Sequence, residues 1–485
     1  MQIKKIVLKQ KFFKNLFWVV GLNLLIKPFW VFGVDRVVQN TVGSEQYGLY
    51  FTLFNLSVLF NIILDFGLTN FNNRNISQNS HLLPKFFFNI VILKVFLFFL
   101  YSIVTISISF AIGYNIEIIK LLAILVLNQF LLSSVLFIRS NISGLQYYMI
   151  DSAISVLDRL LMIIFVGTLL LSTKLNKYID IQTFALMQTL AYLITLIISV
   201  LFLLKKIPTI SFKLNKVLII SILKNTLPFT ILVFLMSFYN RIDAILLERI
   251  LPNGHLHSGV YAQSFRILDA FSQFSLLFAG LLLPMFSRML KQKESVVELT
   301  NFSFLIIILP TLVVSFTSCF YHNEIISLLY KDNIGYSSNI FKILFFSTIP
   351  ISISYIFGTL LTANGNLKYL NFISLGGLII NLVLNLLLIP SQKAVGSAIA
   401  SVSTQFLVSL VQIFFVAKLL NVKIYHKNVV KIIVFTIIFV SLNILFKFLN
   451  LQWMLEYLII LFAGGTLALF LRLINIKKAI NLLIK

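Results

Sequence analysis

Acidic side chains are scarce in this chain: 15 Asp and Glu stand against 39 Lys and Arg in 485 residues. Charged residues of both signs make up 11%, where soluble domains carry about 25%. That is too little polar surface for an ordinary soluble enzyme. Cysteine is nearly absent, and Cys319 alone forms no internal disulfide and says nothing about redox compartment. Of the five histidines only His255 and His257 are close together, and a solvated loop is a simpler reading there than a metal site. No CxxC, GxGxxG or phosphate-binding loop appears. What the chain has in abundance is apolar sequence, 59% of all residues, with a mean hydropathy of +0.99. Such a composition also excludes disorder, which requires low hydrophobicity.

The apolar residues come in runs long enough to cross a bilayer, which takes roughly 20 residues as helix. Spans are expected near Leu16–Val34, Tyr47–Thr69, Phe86–Ile112, Ile118–Ile138, Ala153–Leu171 and Thr183–Leu204. After a basic stretch from Lys205 to Lys224 come Thr226–Leu247, Gly259–Phe286, Phe302–Phe320, Ile340–Thr362, Tyr369–Ile389 and Ala394–Leu419. Val429–Leu449 and Trp453–Leu473 complete fourteen. The basic N-terminus is followed by no small-residue cleavage site, so the first run is expected to stay as a helix. The net charge of +24 lies between the spans, as a polytopic membrane protein requires, and no nucleic-acid partner is implied. With the N-terminus inside, Lys4 to Lys14, Lys205 to Lys224, Arg288 to Lys293 and Lys418 to Lys427 all fall in inner loops, and about seven basic residues fall outside. The positive-inside rule then puts both termini in the cytoplasm of a multi-pass inner-membrane protein.

Two sets of six spans resemble each other. Asp35 and Asp243 close a span in each set, and Gly48-x-Tyr50 and Gly259-x-Tyr261 open the next. Arg74 and Arg288 end that helix, and Gly144 and Gly365 precede the fifth and eleventh. The offsets are 208, 211, 214 and 221 residues. Six is even, so the copies enter from the same side as parallel repeats. The expected architecture is an all-α integral membrane protein: an N-lobe over 1–207, a C-lobe over 208–423, a central cavity between them, and two accessory helices over 424–485.

Charges at membrane depth are costly and usually hidden in protein or in a wet cavity. The interior candidates are Lys27, Asp35, Arg36, Asp65, Lys94, Asp158, Arg159, Arg241, Asp243, Arg266 and Asp269. Arg266 and Asp269 are three apart and share a helical face, so they could neutralise each other. Asp158 and Arg159 are adjacent, do not share a face, and each call for a partner elsewhere. Pro28 follows Lys27 in mid-helix and is expected to bend it. Arginine matches phosphate oxygens in a bidentate way that lysine does not. The expected substrate-contacting set is Lys27, Arg36, Arg159, Arg241, Asp243, Arg266 and Asp269, with structural pairing as the competing reading for each.

Several segments carry a family likeness. They include Pro228 opening the seventh helix, Tyr239-Asn240-Arg241-Ile242-Asp243, Gly259-Val260-Tyr261-Ala262 and Pro284-Met285-Phe286-Ser287-Arg288. Further on stand Glu324-Ile325-Ile326, Leu328-Leu329-Tyr330, Gly365, Asn381, Asn385, Pro390 and Gly396-Ser397-Ala398-Ile399-Ala400. Together they resemble the polysaccharide-transporter branch of the multidrug/oligosaccharidyl-lipid/polysaccharide exporter superfamily. The stop at Ile389-Pro390-Ser391-Gln392-Lys393 departs from the glycine-rich turn common in relatives. The resemblance implies a non-enzymatic flippase for O-antigen-type units, carrying undecaprenyl-pyrophosphate-linked oligosaccharide outward by alternating access. It implies membrane lipids and polysaccharide polymerase and chain-length proteins as partners, and no cofactor beyond a proton or sodium gradient. Sugar-recognising residues vary across the family and are not carried over. A lipid II flippase shares the fold and a basic cavity. A drug/cation antiporter needs an acidic cavity, against the basic lean here. A membrane polymerase or glycosyltransferase commonly carries a large outer loop, which is missing. A structural scaffold fits poorly with interior charges and a repeat.

Overall fold

The structure, a computed structural model, describes residues 21, 25–26, 28–172, 179–206, 216–422, 425–449 and 451–473. Among them there is helix and no strand. Inside a bilayer a backbone has no water to bond, so each apolar run closes its hydrogen bonds within a helix. Among the described residues twelve helices are long and apolar enough to cross a membrane. Two of these are broken, at Gly43 (φ 82°, ψ 163°) and at Lys393 (φ 53°, ψ −136°), which gives the expected fourteen spans.

The first span runs to residue 42 and the second over 44–78. The third is Leu83–Ile112, the fourth Ile116–Gly144, the fifth Tyr148–Leu171 and the sixth Ile181–Leu204. The seventh is Lys216–Ile250, the eighth Gly254–Lys291, the ninth Val297–Phe320 and the tenth Ile334–Ala363. The eleventh and twelfth share Leu367–Leu420, and His426–Lys447 and Trp453–Phe470 follow. Local chemistry sets several ends. Asn115 and Asp180 each accept a hydrogen bond from a first-turn amide, Ile118 N–H at 2.9 Å and Thr183 N–H at 2.7 Å, as N-caps do. Gly113 ends the third span with φ 94°.

Helices overrun their apolar runs. The seventh begins about three turns before Pro228, which lies inside it instead of opening it. Pro28 also lies within helix, and the helix continues as a π-helical turn, Trp30–Asp35, where Arg36 N–H bonds Val31 O. Turn positions repeat as the motifs do. Gly43, Gly113 and Gln146 have positive φ in the first set, and Asn253, Asn333 and Gly365 in the second.

The chain forms two compact units, Met1–Glu248 and Arg249–Lys485. The expected lobe edges at 207/208 and 423/424, and both termini, fall outside the described residues. In the first unit Leu68, Phe86, Ile90, Phe137, Ile142, Leu203 and Ile222 belong to one apolar core. Most of the seventh span packs in this unit, although the repeat groups it with the later set. Thr52 donates to Ala244 O at 3.4 Å, and Tyr114 Oη donates to Glu248 at 3.0 Å. In the second unit hydroxyls stitch the eighth, ninth and tenth spans: Ser275 meets Ser352 at 2.7 Å, and Thr311 meets Ser352 at 3.2 Å. Tyr336 Oη accepts from Ala394 N–H at 2.9 Å beside the Lys393 break and meets His257 Nδ1 at 3.0 Å.

The last two spans dock on the ninth. Tyr321 donates to buried Glu456 at 2.7 Å, and Ser318 bonds Tyr457 at 2.9 Å. At the other end of these helices Tyr425 N–H donates to Asn301 at 2.8 Å, and Lys431 Nζ donates to Leu471 O at 2.9 Å.

Candidate functional site

The first unit gathers a polar and aromatic cluster from its first, second, fifth and sixth spans. Its cation is Arg159 in mid-fifth span, with 26% of its side chain exposed. The guanidinium lies 5.4 Å from the Trp30 ring. One N–H donates to Tyr192 Oη at 3.3 Å, and Nε sits 3.8 Å from Asp158. Adjacent residues on a helix point apart, yet the long arginine stem turns back far enough for this loose ion pair. Asp158 is therefore a partner of Arg159, contrary to the expectation that each would look elsewhere. A guanidinium has five N–H donors; among the described residues one of them is committed to a hydrogen bond, to Tyr192.

Around Arg159 the ring wall is continuous. Trp30 stacks on Phe184 at 6.1 Å, and Phe184 meets Tyr50 edge-on at 5.4 Å. Gln188 donates to Tyr50 Oη at 2.8 Å, and the Tyr47 and Tyr50 rings lie 5.6 Å apart. Tyr47 then donates to buried Asp35 at 2.8 Å. Trp30 and Asp35 are the two ends of the π-helical turn, and both belong to this wall. A flat guanidinium among aromatic faces suits an anionic group attached to a ring or ring-like body.

The other expected residues are placed as follows. Lys27 lies outside the described residues. Arg36 follows the π turn and is half-buried. In the first unit Arg241 is half-buried and donates to Asn55 Oδ1 at 3.4 Å, and Asp243, two residues closer to the end of that helix, is buried. Arg266 and Asp269 lie half-buried on the eighth span of the second unit. Thus Arg159 and Asp35 share one cluster. Trp30, Tyr47, Tyr50, Gln188 and Tyr192 were not singled out in this role from sequence. Their signals were present: Trp30 is one of three tryptophans, and Gln188 interrupts an apolar run.

A second charged group lies in the same unit. Lys94 is buried and bonds Ser133 Oγ at 2.8 Å and Leu64 O at 3.2 Å, with Asp65 at 3.5 Å.

Comparison with known proteins identifies the lineage. A family model described as polysaccharide biosynthesis protein matches residues 12–290, more than half of the chain and all of the Arg159 cluster. The chain belongs to this family. It is a member of the polysaccharide-transporter branch of its superfamily. Among solved structures, an inward-facing multidrug resistance MATE family transporter of the MOP superfamily superposes with a TM-score of 0.63 at 14% identity. That match covers 79% of this chain and 93% of the other. The lipid II flippase MurJ in its inward closed conformation gives 0.60 at 15% identity, covering 96% and 99%. A MOP superfamily transporter from Pyrococcus furiosus gives 0.57 at 13% identity, covering 83% and 92%. At these identities the likeness shows the fold. No curated protein matches.

Proposed function

We propose that this protein is a flippase for undecaprenyl-pyrophosphate-linked oligosaccharide, moving polysaccharide repeat units outward across the cytoplasmic membrane by alternating access. Membership of the polysaccharide biosynthesis family carries the reading, because it ties the chain to polysaccharide assembly. The Arg159 cluster supports it. A pyrophosphate offers the planar oxygen pairs that a guanidinium binds in bidentate fashion, and sugar rings stack on Trp and Tyr faces. Arg36, Arg241 and Arg266 are the further cations proposed to contact substrate, and Lys27, Asp243 and Asp269 complete the proposed set. Both termini are proposed to be cytoplasmic, and a proton or sodium gradient to drive the cycle.

The test is complementation of a strain lacking this gene, with surface polysaccharide measured per unit of inserted protein. Arg159→Lys keeps the charge and loses the fork; export is expected to fall about tenfold, the equivalent of one good contact of ~1.4 kcal/mol. Arg159→Ala is expected to fall further. Full export from a normally inserted Arg159→Ala variant would remove that residue from the substrate site.

One observation favours a second reading, transport of lipid II. The flippase MurJ aligns over 96% of this chain, and the two transporters named beside it over 79% and 83%. Rescue of peptidoglycan synthesis, with no effect on surface polysaccharide, would select it.

A further inference from the structure

The second span is not a continuous helix. It stops at Phe60, resumes for one turn over Ile62–Asp65, and stops again at Phe66 and Gly67, both left-handed at φ 45° and 76°. A break at membrane depth frees backbone carbonyls, and each must find a donor within the protein. Here the donor is a lysine from the third span. Lys94 Nζ reaches Leu64 O at 3.2 Å, Ser133 Oγ on the fourth span at 2.8 Å and Asp65 Oδ1 at 3.5 Å. An ammonium has three N–H donors, and three oxygens meet them. Asp65 in turn accepts from the Thr69 hydroxyl and from Thr69 N–H, which ties the carboxylate to the helix beyond the break.

Burial divides the pair. Lys94 is 5% exposed and Asp65 26%. Among the described residues Lys94 is the one lysine or arginine in the buried class. A fixed ion pair deep in protein often adds little stability, because desolvation of both charges offsets their attraction. Among the described residues Asp65 is the charged group paired with Lys94; the fourth and seventh spans also carry Arg139 and Lys224. Arg139 is paired with Asp151 at 2.7 Å, and Lys224 is exposed on the seventh span. Asp65 is therefore the group through which a proton on Lys94 communicates with the molecular surface.

The break also touches the seventh span. A Cβ on Gly67 would stand 3.1 Å from Thr226 Cβ, so the break at Gly67 lies close against the Thr226 side chain. A change in the break must be felt by that helix.

We propose that Lys94 and Asp65 form a proton-binding site that couples protonation to the shape of the second span. This deepens the transport reading and rests on it for the word coupling; the proton site itself does not. In the proton-loaded state the ammonium holds Leu64 O, Ser133 and Asp65. On release, one proton passes from Nζ to an Asp65 carboxylate oxygen, leaving an amine and a carboxylic acid. Asp65 then gives that proton to solvent and returns to carboxylate. The neutral amine has two N–H donors and a lone pair, so it no longer satisfies three acceptors. The break loses its latch against the third and fourth spans, and the contact at Gly67 passes the change to the seventh.

The test uses the full chain in proteoliposomes with Cys319→Ala as background. Ile63→Cys places a thiol in the one-turn segment, and its alkylation by N-ethylmaleimide is followed from pH 6 to 10, normalised to exposed Leu171→Cys. The expected result is a rise of about fivefold in normalised rate through a single one-proton transition. Lys94→Arg, a cation that does not titrate in this range, is expected to stay at the low rate throughout. Lys94→Met is expected to stay at the high rate. If Lys94→Met fails to insert, Asp65→Asn serves instead: loss of the carboxylate moves the transition toward lower pH. A flat profile in the Ile63→Cys protein, or an unchanged transition in Lys94→Arg, overturns the site. The coupling role is read separately in cells, where normally inserted Lys94→Arg is expected to lose at least tenfold in surface polysaccharide. An intact pH transition with undiminished export by Lys94→Arg overturns coupling. Failure of the polysaccharide reading looks different: the transition persists while neither Arg159 nor Lys94 variants alter surface polysaccharide.

Discussion

Tyr47 and Asp35 show how a membrane charge is held in the first unit. The carboxylate is buried and takes a 2.8 Å hydrogen bond from a fully buried phenol twelve residues away, across the break at Gly43. Removing the donor deletes one hydrogen bond to a buried carboxylate, and bonds to charged groups are typically worth about 1.5–3 kcal/mol. Tyr47→Phe is thus expected to lower the midpoint of thermal unfolding in detergent. Asp35→Asn added to it removes the charge and is expected to recover part of the loss. An unchanged midpoint in Tyr47→Phe would show that the phenol contributes packing alone. Residue identity in these sites was visible in sequence; partnership was not. Arg159 stood out as a cation in an apolar run, but Tyr192 is 33 residues distant and Trp30 lies in another span.

Helices reveal a different kind of information. The fourteenth span approaches the ninth so closely that a Cβ on Gly464 would fall 2.7 Å from a Val313 methyl and 2.8 Å from the Phe439 ring. Small residues allow such contact between membrane helices, where packing replaces the hydrophobic effect. Gly464→Leu is expected to cost about 1–3 kcal/mol by overpacking and to speed proteolysis of the C-terminal pair. Gly465→Leu, with open space at its Cβ, is the control and is expected to behave as the unmodified chain. Equal effects from both would place the close contact elsewhere. Apolar run length located the spans within a few residues, yet helices extended further at several ends. The seventh reaches back to Lys216, and the eighth forward to Lys291. Polar residues at the margins continue a helix whenever capping or packing supports them, and hydropathy does not register this.

At the scale of the whole molecule, the even number of spans and the bias of Lys and Arg make a definite topology prediction. On a Cys319→Ala background, Lys205→Cys and Lys291→Cys are expected to react only after permeabilisation, and Lys331→Cys from outside. External labelling at position 205 would overturn the inside-positive arrangement, and the parallel repeat with it. The repeat itself was legible because turn chemistry leaves marks in sequence. Gly365 takes positive φ where it precedes the eleventh span, and the Gly48 and Gly259 pairs follow breaks at Gly43 and Asn253. The sequence by itself determined an all-helical membrane protein of fourteen spans, since a bilayer leaves an apolar backbone no alternative. It also exposed the charges that must be hidden. Only the tertiary structure decided what hides them: a ring wall around Arg159, a phenol for Asp35, and a broken helix whose carbonyl and carboxylate receive Lys94. Those choices depend on contacts between spans far apart in the chain, and each span's own pattern of apolar residues is nearly the same whichever neighbours it meets.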